Sequence, residues 1–424
     1  MKTKLLLIST IVFAPAMWAQ SIAGLWNATI TVGGNQIPFK IEFAGDGNNV
    51  KGWFFNGEEH ENSTGGKFEN NSLVLNFDSY ASVLKATLNN GVLEGEYAST
   101  ARPAAADSGA RAGRGPGAAP LPFRAIRYIA EPPSKMNAPD ISGLWYLENI
   151  KSSKHDEKAW QFIVEQKGPE VSGAILRVDG DTGTLTGNYQ DGKFVLSHFS
   201  GARGALVVVT PQGDGTLVVE LDGQHPQAGA IVGVRPEQAK AKGLDLPADF
   251  NQHTSVADPT KPFDFSFPDL NGKIVSNTDP RFQGKVVLIN ITGSWCPNCH
   301  DESPFLAALY DKYHAQGLEI VALDFEQGAE QLANPVRLRQ LIKQSGIKYT
   351  VLLGGLTGDA KEKLTQAKGW DSWPTTFFVG RDGLVKAVHA GFPSPGSGKL
   401  YKDETNEFTA QVETLLGQNL KSQK

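Results

Sequence analysis

The chain has 424 residues, of which 40% are apolar and 20% charged, with a formal net charge of −5. That length exceeds a single hydrophobic core and predicts roughly three domains. The mildly acidic balance gives no electrostatic footprint for nucleic acid, so none is expected as a partner.

Residues 1–19 are predicted to be a signal peptide. Lys2 and Lys4 precede an apolar run, Leu5 to Met17, too short to span a bilayer unaided. Cleavage is expected after Ala19 or Ala16; Met17 departs from the small-residue pattern, and an uncleaved N-terminal anchor is the alternative. The expected location is therefore outside the cytoplasm, in a bacterial periplasm.

Two all-β units follow, over residues 21–134 and 139–247, and they look duplicated. "SIAGLW" at Ser21–Trp26 recurs as "DISGLW" at Asp140–Trp145. "IPFKIEF" (Ile37–Phe43) is answered by "WQFIVEQ" (Trp160–Gln166), and both Val50/Val171 and Phe68/Tyr189 are separated by 121 residues. Constant spacing over several blocks is the signature of an internal repeat. Period-two alternation punctuated by Gly, Asn and Asp predicts an antiparallel meander, as a barrel or a sandwich. Trp26 and Trp145 read as core plugs, with a ligand-stacking role as the alternative. No ligand of these units can be named from the sequence. His60, His155, His198 and His225 are scattered and are expected on the surface or in loops.

The first unit is interrupted at residues 98–121 by an Ala/Gly/Pro/Arg-rich stretch with no apolar period, predicted to be a disordered loop. Its Arg102, Arg111 and Arg114 are expected to be solvated rather than to hold an anion. Residues 248–258 read as a linker.

From residue 259 to 424 the pattern becomes strand–helix alternation, an α/β sandwich with a mixed sheet. "PFDFSFPDLNGKIV" predicts a hairpin turning at Asn271–Gly272. "KVVLINI" and "LEIVALDF" predict buried strands. A helix is predicted after the cysteines, with Phe305, Leu306, Leu309, Tyr310 and Tyr313 on one face and Gly317 as its stop. Pro304 predicts a kink or the helix's true start. Further helices are expected at "VRLRQLIKQSG", "AKEKLTQAKG" and "NEFTAQVETLLGQNL", with a hairpin over Asp382–Gly383.

The chain's two cysteines, Cys296 and Cys299, sit in "TGSWCPNCHDESPF". An exported chain that used disulfides as a framework would spread several pairs along its length. Cys296 is placed at the end of a buried strand, where free N–H groups of the following helix favour an anionic sulfur. A thiolate there attacks a disulfide, and Cys299 one turn along resolves the mixed disulfide. Zinc would need four ligands, and His300 alone does not complete a set. A structural staple would close too short a loop to stabilise much. No metal or cofactor is expected.

"GKVVLINITGSWCPNCHDESPFLAALYDKY", with the later "SWPTTFFVGRDGLVKAVHAG", resembles the TlpA/ResA-like thiol–disulfide oxidoreductases of the thioredoxin superfamily, over residues 259–424. The first 240 residues carry no such resemblance. It implies a thioredoxin-like fold, Cys296 as nucleophile, Cys299 as resolving thiol and a redox disulfide between them. Pro374 matches the family's cis-proline, and Trp295, Pro297, Asn298, Trp373 and Pro374 would line the substrate groove. Glu302 matches a glutamate associated with tuning the cysteines and moving protons; a plain helix-start carboxylate is the alternative. The thioredoxins' buried aspartate is replaced here by Asn290. The implied activity is reduction of protein disulfides, with a membrane-bound thiol donor to recycle the pair.

Two other readings compete. A thiol peroxidase would need a threonine three residues before the attacking cysteine; Thr292 is four before Cys296, with Ser294 and Trp295 between. Alternatively, the β-units bind a partner and the redox module is accessory.

Overall fold

Alternation builds the N-terminal half. In Asn35–Ala44 the buried residues are Ile37, Phe39, Ile41 and Phe43, while Pro38 and Lys40 face outward. The computed structural model describes residues 21–57, 59–100, 119–130, 137–150, 156–178, 180–201, 204–222, 231–248, 254–370 and 372–417. The predicted signal peptide and most of the predicted disordered loop, with its three arginines, lie outside the described residues.

The first sheet comprises β1 (Gly24–Val32), β2 (Asn35–Ala44), β3 (Lys51–Asn56), β4 (Glu59–Asn62), β5 (Gly65–Glu69), β6 (Ser72–Phe77), β7 (Ser82–Asn89), β8 (Val92–Ser99) and β9 (Leu121–Arg127). Their order is β4-β3-β2-β1-β9-β8-β7-β6-β5, a half-barrel with edges at β4 and β5. The second comprises β10 (Gly143–Glu148), β11 (Trp160–Lys167), β12 (Glu170–Arg177), β13 (Gly180–Asp181), β14 (Leu185–Gln190), β15 (Lys193–Phe199), β16 (Gly204–Pro211), β17 (Leu217–Asp222) and β18 (Ile231–Val234). Here β11 also pairs with β12, Phe162 opposite Ile175, so the sheet closes on itself as a barrel and removes its edges.

The half-barrel and barrel meet through Phe199 at the end of β15. The Asn56 side chain donates to the Phe199 carbonyl (3.1 Å) and accepts from its N–H (2.9 Å). The Phe199 ring enters the half-barrel core, 4.8 Å from Phe39 and 5.0 Å from Phe54, and Phe54 stacks on Phe77 at 4.5 Å. Replacing Phe54 with alanine opens this aromatic cluster and should cost about 3–5 kcal/mol. Denaturant unfolding of Phe54→Ala measures it, and a loss under about 1 kcal/mol would contradict the packing described.

His198 departs from the expectation of a surface histidine. It is buried on β15, and its Nδ1 lies 3.0 Å from the Thr184 carbonyl. It shares one face of β15 with Phe194 and Leu196, both buried in the barrel core, so its position on the strand accounts for its burial.

Helix α1 (Pro236–Lys242) leads from the barrel. In the C-terminal part the pairs β19 (Ser255–Val256) with β25 (Ala367–Lys368), and β20 (Ser266–Pro268) with β21 (Ile274–Ser276), flank a mixed sheet. That sheet runs β24 (Thr350–Leu356), β23 (Leu318–Glu326), β22 (Val286–Thr292), β26 (Thr375–Val379), β27 (Val385–Ala390). The first three are parallel and the last two antiparallel. Alternate residues of β22 feed two cores: Val287, Ile289 and Ile291 join Phe263 and Phe377, whereas Val286 and Leu288 join Leu306, Phe408 and Val412. Helices α2 (Pro297–Tyr313), α3 (Ala329–Ala333), α4 (Val336–Ser345), α5 (Ala360–Lys363) and α6 (Lys399–Gly417) complete the layer arrangement.

Three boundaries differ from the sequence expectation. Helix α2 begins at Pro297 and runs through Pro304, which therefore does not mark its start. Helix α5 stops after Lys363, because Ala367 pairs with Val256 and the Gln366 side chain donates to the Pro262 carbonyl (2.6 Å). Tertiary pairing overrides helix propensity there. Helix α6 starts at Lys399 rather than Asn406.

Candidate redox site

Strand β22 ends at Thr292, and the chain turns through Gly293–Trp295 into α2. The turn is pinned by β23: Ser294 N–H donates to Asp324 Oδ1 (3.1 Å), Ser294 Oγ–H donates to Glu326, and the Trp295 indole donates to the Phe325 carbonyl (2.9 Å). Arg337 from α4 neutralises Glu326 at 2.7 Å. For Asp324, burial followed by repulsion from Glu326 outweighs the pull of the Ser294 N–H and of Arg337, and pushes its carboxyl well above the usual range.

Cys296 is the N-cap of α2. Its Sγ accepts the N–H of Cys299 at 3.2 Å, one of the free donors of the first helical turn. The Cys296 thiol in turn faces the Trp373 carbonyl, 3.6 Å away, and the Trp373–Pro374 bond is cis. Trp373 sits edge-on to Trp295 at 5.4 Å. The two sulfurs are present as free thiols. Cys299 is 0% exposed, and burial, followed by the hydrogen bond with Cys296, holds its thiol well above the ordinary cysteine range. One sulfur thus accepts a helix-start N–H while the other is held neutral by its burial. That asymmetry suits attack by the first and delayed attack by the second.

Glu302 lies one turn beyond Cys299, 1% exposed. Its oxygens accept from Asn290 Nδ2 (2.7 Å) and Thr376 Oγ1 (3.0 Å), both on the sheet beneath the helix. Burial raises its carboxyl to about 7, against the lowering influence of His389 and of those two hydrogen bonds. Glu302 is therefore a buried, protonatable group within the site rather than a solvated helix-start charge. Among the described residues no group of three or more His, Cys, Asp or Glu is placed to hold a metal.

Residues 259–388 match the AhpC/TSA family. Thiol-disulfide oxidoreductase ResA of Geobacillus thermodenitrificans (strain NG80-2) is 30% identical over 142 residues, which are 34% of this chain and 74% of that protein. Through this segment, the chain belongs to the ResA/TlpA-like thiol–disulfide oxidoreductases. ResA of Bacillus thuringiensis (strain Al Hakam) is 32% identical over 121 residues, 28% of this chain and 62% of the relative's length. A solved thiol:disulfide interchange protein, a thioredoxin family protein from Chlorobium tepidum TLS, is 25% identical with a TM-score of 0.30 and covers 38% of this chain and 100% of its own.

The sequence pattern brings Trp295, Cys296, Pro297, Asn298, Cys299, Glu302, Trp373 and Pro374 to one end of the ResA-like domain. What it misses is the contribution of the β-domains. Asn298, between the cysteines, donates to Asp181 Oδ1 of the barrel at 2.7 Å. His300 stacks on Tyr80 of the half-barrel at 4.9 Å. Its Nε2 lies 2.8 Å from the Ser294 carbonyl, which can only accept, so Nε2 carries the proton. Burial lowers the ring to about 4 and keeps it neutral, with Nδ1 lying 3.3 Å from the Tyr80 hydroxyl. Glu61, raised to about 7 by burial, contacts the same hydroxyl at 3.1 Å. No local signal links Asp181 or Tyr80 to a motif more than a hundred residues away.

Proposed function

We propose that this chain is an exported thiol–disulfide oxidoreductase that works in the reductive direction on protein disulfides. The observation that carries the reading is Cys296 Sγ at the N-cap of α2, accepting the Cys299 N–H beside the Trp373 carbonyl. Cys296, as thiolate, attacks one sulfur of a substrate disulfide; an S–S bond forms to Cys296 and the second substrate sulfur leaves as a thiolate that takes up a proton. Cys299 then loses its proton and attacks Cys296 Sγ. The Cys296–Cys299 disulfide forms and the remaining substrate sulfur leaves reduced. Two electrons pass to the substrate, and a membrane-bound dithiol donor returns them.

Export rests on the Lys2/Lys4 apolar leader. Pro297 and Asn298, both uncharged, speak for a reductant rather than a strong oxidant. Glu302, protonatable near neutrality, is assigned the proton that leaves Cys299. The two β-domains are read as a duplication, supported by matched anchoring at their entry. Trp26 Nε1 donates to Ile22 O and Trp145 Nε1 to Ile141 O, each at 2.8 Å. Arg127 and Arg235, on or just after each closing strand, cover those indoles at 4.8 and 3.6 Å.

Cys299→Ser should arrest the reaction at the mixed disulfide. Incubated with a disulfide protein such as insulin, it should accumulate a non-reducing-gel adduct that dithiothreitol dissolves and that is lost in Cys296→Ser/Cys299→Ser. An adduct that persists in the double variant would sink the assignment.

A further inference from the structure

We propose that the β12–β13 hairpin of the barrel caps Cys296 and decides which disulfides reach it, with Asp181 the positioning residue that holds the cap closed. The inference rests on the reading of Cys296 as the attacking thiol.

Cys296 is only 3% exposed, although a nucleophile at a helix start has to meet a second sulfur. Three segments of the ResA-like domain meet around the motif: the motif itself, the residues before Pro374, whose Trp373 carbonyl faces Cys296, and those after β27, whose Phe392 carbonyl accepts from Asn298 Nδ2 at 3.2 Å. Each spends a polar group on the same hairpin. Asn298 Nδ2 donates to Asp181 Oδ1 (2.7 Å), Ser394 N–H donates to Asp181 Oδ2 (2.7 Å), and Ser372 Oγ donates to the Val178 carbonyl (2.6 Å). Ser372 directly precedes Trp373, whose carbonyl faces the Cys296 thiol, so the hairpin lies along the rim of the reacting sulfur.

The hairpin is built for close approach. Gly180 has φ +118, and a Cβ there would stand 3.1 Å from the Asn298 side chain. Its own side is braced by Glu157, which accepts the Val178 N–H at 2.8 Å, and by Asp181 Oδ1, which also accepts the Gly183 N–H at 3.0 Å. Asp181 is 1% exposed, and its carboxylate is what brings Asn298 and Ser394 onto the barrel. On the half-barrel side, Tyr80 stacks on His300 and Ser79 Oγ donates to Gln344 of α4 at 2.7 Å, so both β-domains clamp the start of α2. A folded protein presenting a disulfide meets this cap before it meets the sulfur.

The test is the rate at which Cys296 is labelled in the full, reduced chain by N-ethylmaleimide and by a maleimide carrying a polyethylene-glycol chain of several kilodaltons. Asp181→Ala should raise the bulky reagent's rate about tenfold or more, equivalent to about 1.4 kcal/mol of cap opening, and the small reagent's rate far less. Ser372→Ala removes a single cap contact and should shift the same ratio in the same direction. A bulky-to-small ratio equal to wild type in both variants overturns the proposal. Labelling of Cys299 marks unfolding; if Asp181→Ala shows it, the Ser372→Ala ratio decides. Labelling needs no turnover, so insulin reduction followed in parallel separates the two readings. A raised ratio without insulin reduction leaves the cap standing and removes the oxidoreductase reading, whereas insulin reduction with an unchanged ratio does the reverse.

Discussion

Cys296→Ser is expected to bring disulfide reduction down by on the order of 10³-fold or more, to background, while leaving the protein folded. The loss follows from chemistry, because a serine hydroxyl is not ionised at neutral pH and does not form the mixed disulfide. Folding should be spared for a structural reason. The replaced atom is an N-cap acceptor for the Cys299 N–H, and serine is among the preferred N-cap residues. Its hydroxyl can still donate toward the Trp373 carbonyl, now 3.6 Å from Sγ. Thermal unfolding of Cys296→Ser should match or slightly exceed wild type. An inactive variant that also melts well below wild type would show that the cysteine is structural.

The second large effect concerns pH. Glu302 is raised from 4.5 to about 7 in the folded chain, chiefly by burial. Between those values the folded protein keeps a proton that the unfolded chain has released. This contribution to stability is therefore present below about 4.5 and lost as pH rises through about 7. About 1.4 kcal/mol per unit makes it on the order of 3 kcal/mol across that window. Glu302→Gln keeps a neutral side chain between Asn290 and Thr376 and removes the ionisation. Relative to wild type, it should gain about 2–3 kcal/mol on moving from pH 5 to pH 8.5. The difference between the two proteins is the useful quantity, since other groups also titrate. Glu61, also raised to about 7, slopes the same way in both. His300, lowered to about 4, adds the opposite slope at acid pH: its contribution is present above 6.5 and lost as pH falls through 4. Urea unfolding at several pH values measures this. Parallel profiles for wild type and variant would mean that Glu302 is not held neutral.

Much of the ResA-like domain was legible because its signals are local. Continuous β-branched runs marked β22 and β23, and Trp-Cys-Pro-Asn-Cys followed by Trp-Pro-Thr-Thr marked the site. Element limits were less legible. The helix expected over residues 360–369 was cut short by pairing of β25 with β19, and α2 absorbed Pro304 instead of starting there. Whether the β-units were barrels or sandwiches was also open, since one face of alternating residues serves either; the β11–β12 pairing makes the second a closed barrel, while the first stays open.

By itself, then, the sequence determined the order of the parts, the mixed sheet and the place of the two cysteines at a strand-to-helix turn, because periodicity and short spacings are properties of adjacent residues. Only the tertiary structure decided what surrounds those sulfurs. Asp181 reaches Asn298 and Tyr80 reaches His300 across separations of 117 and 220 residues. Glu302 owes its raised carboxyl to burial. Contacts between separately folded layers leave no period in the chain, and desolvation depends on everything packed around a group rather than on its neighbours in sequence.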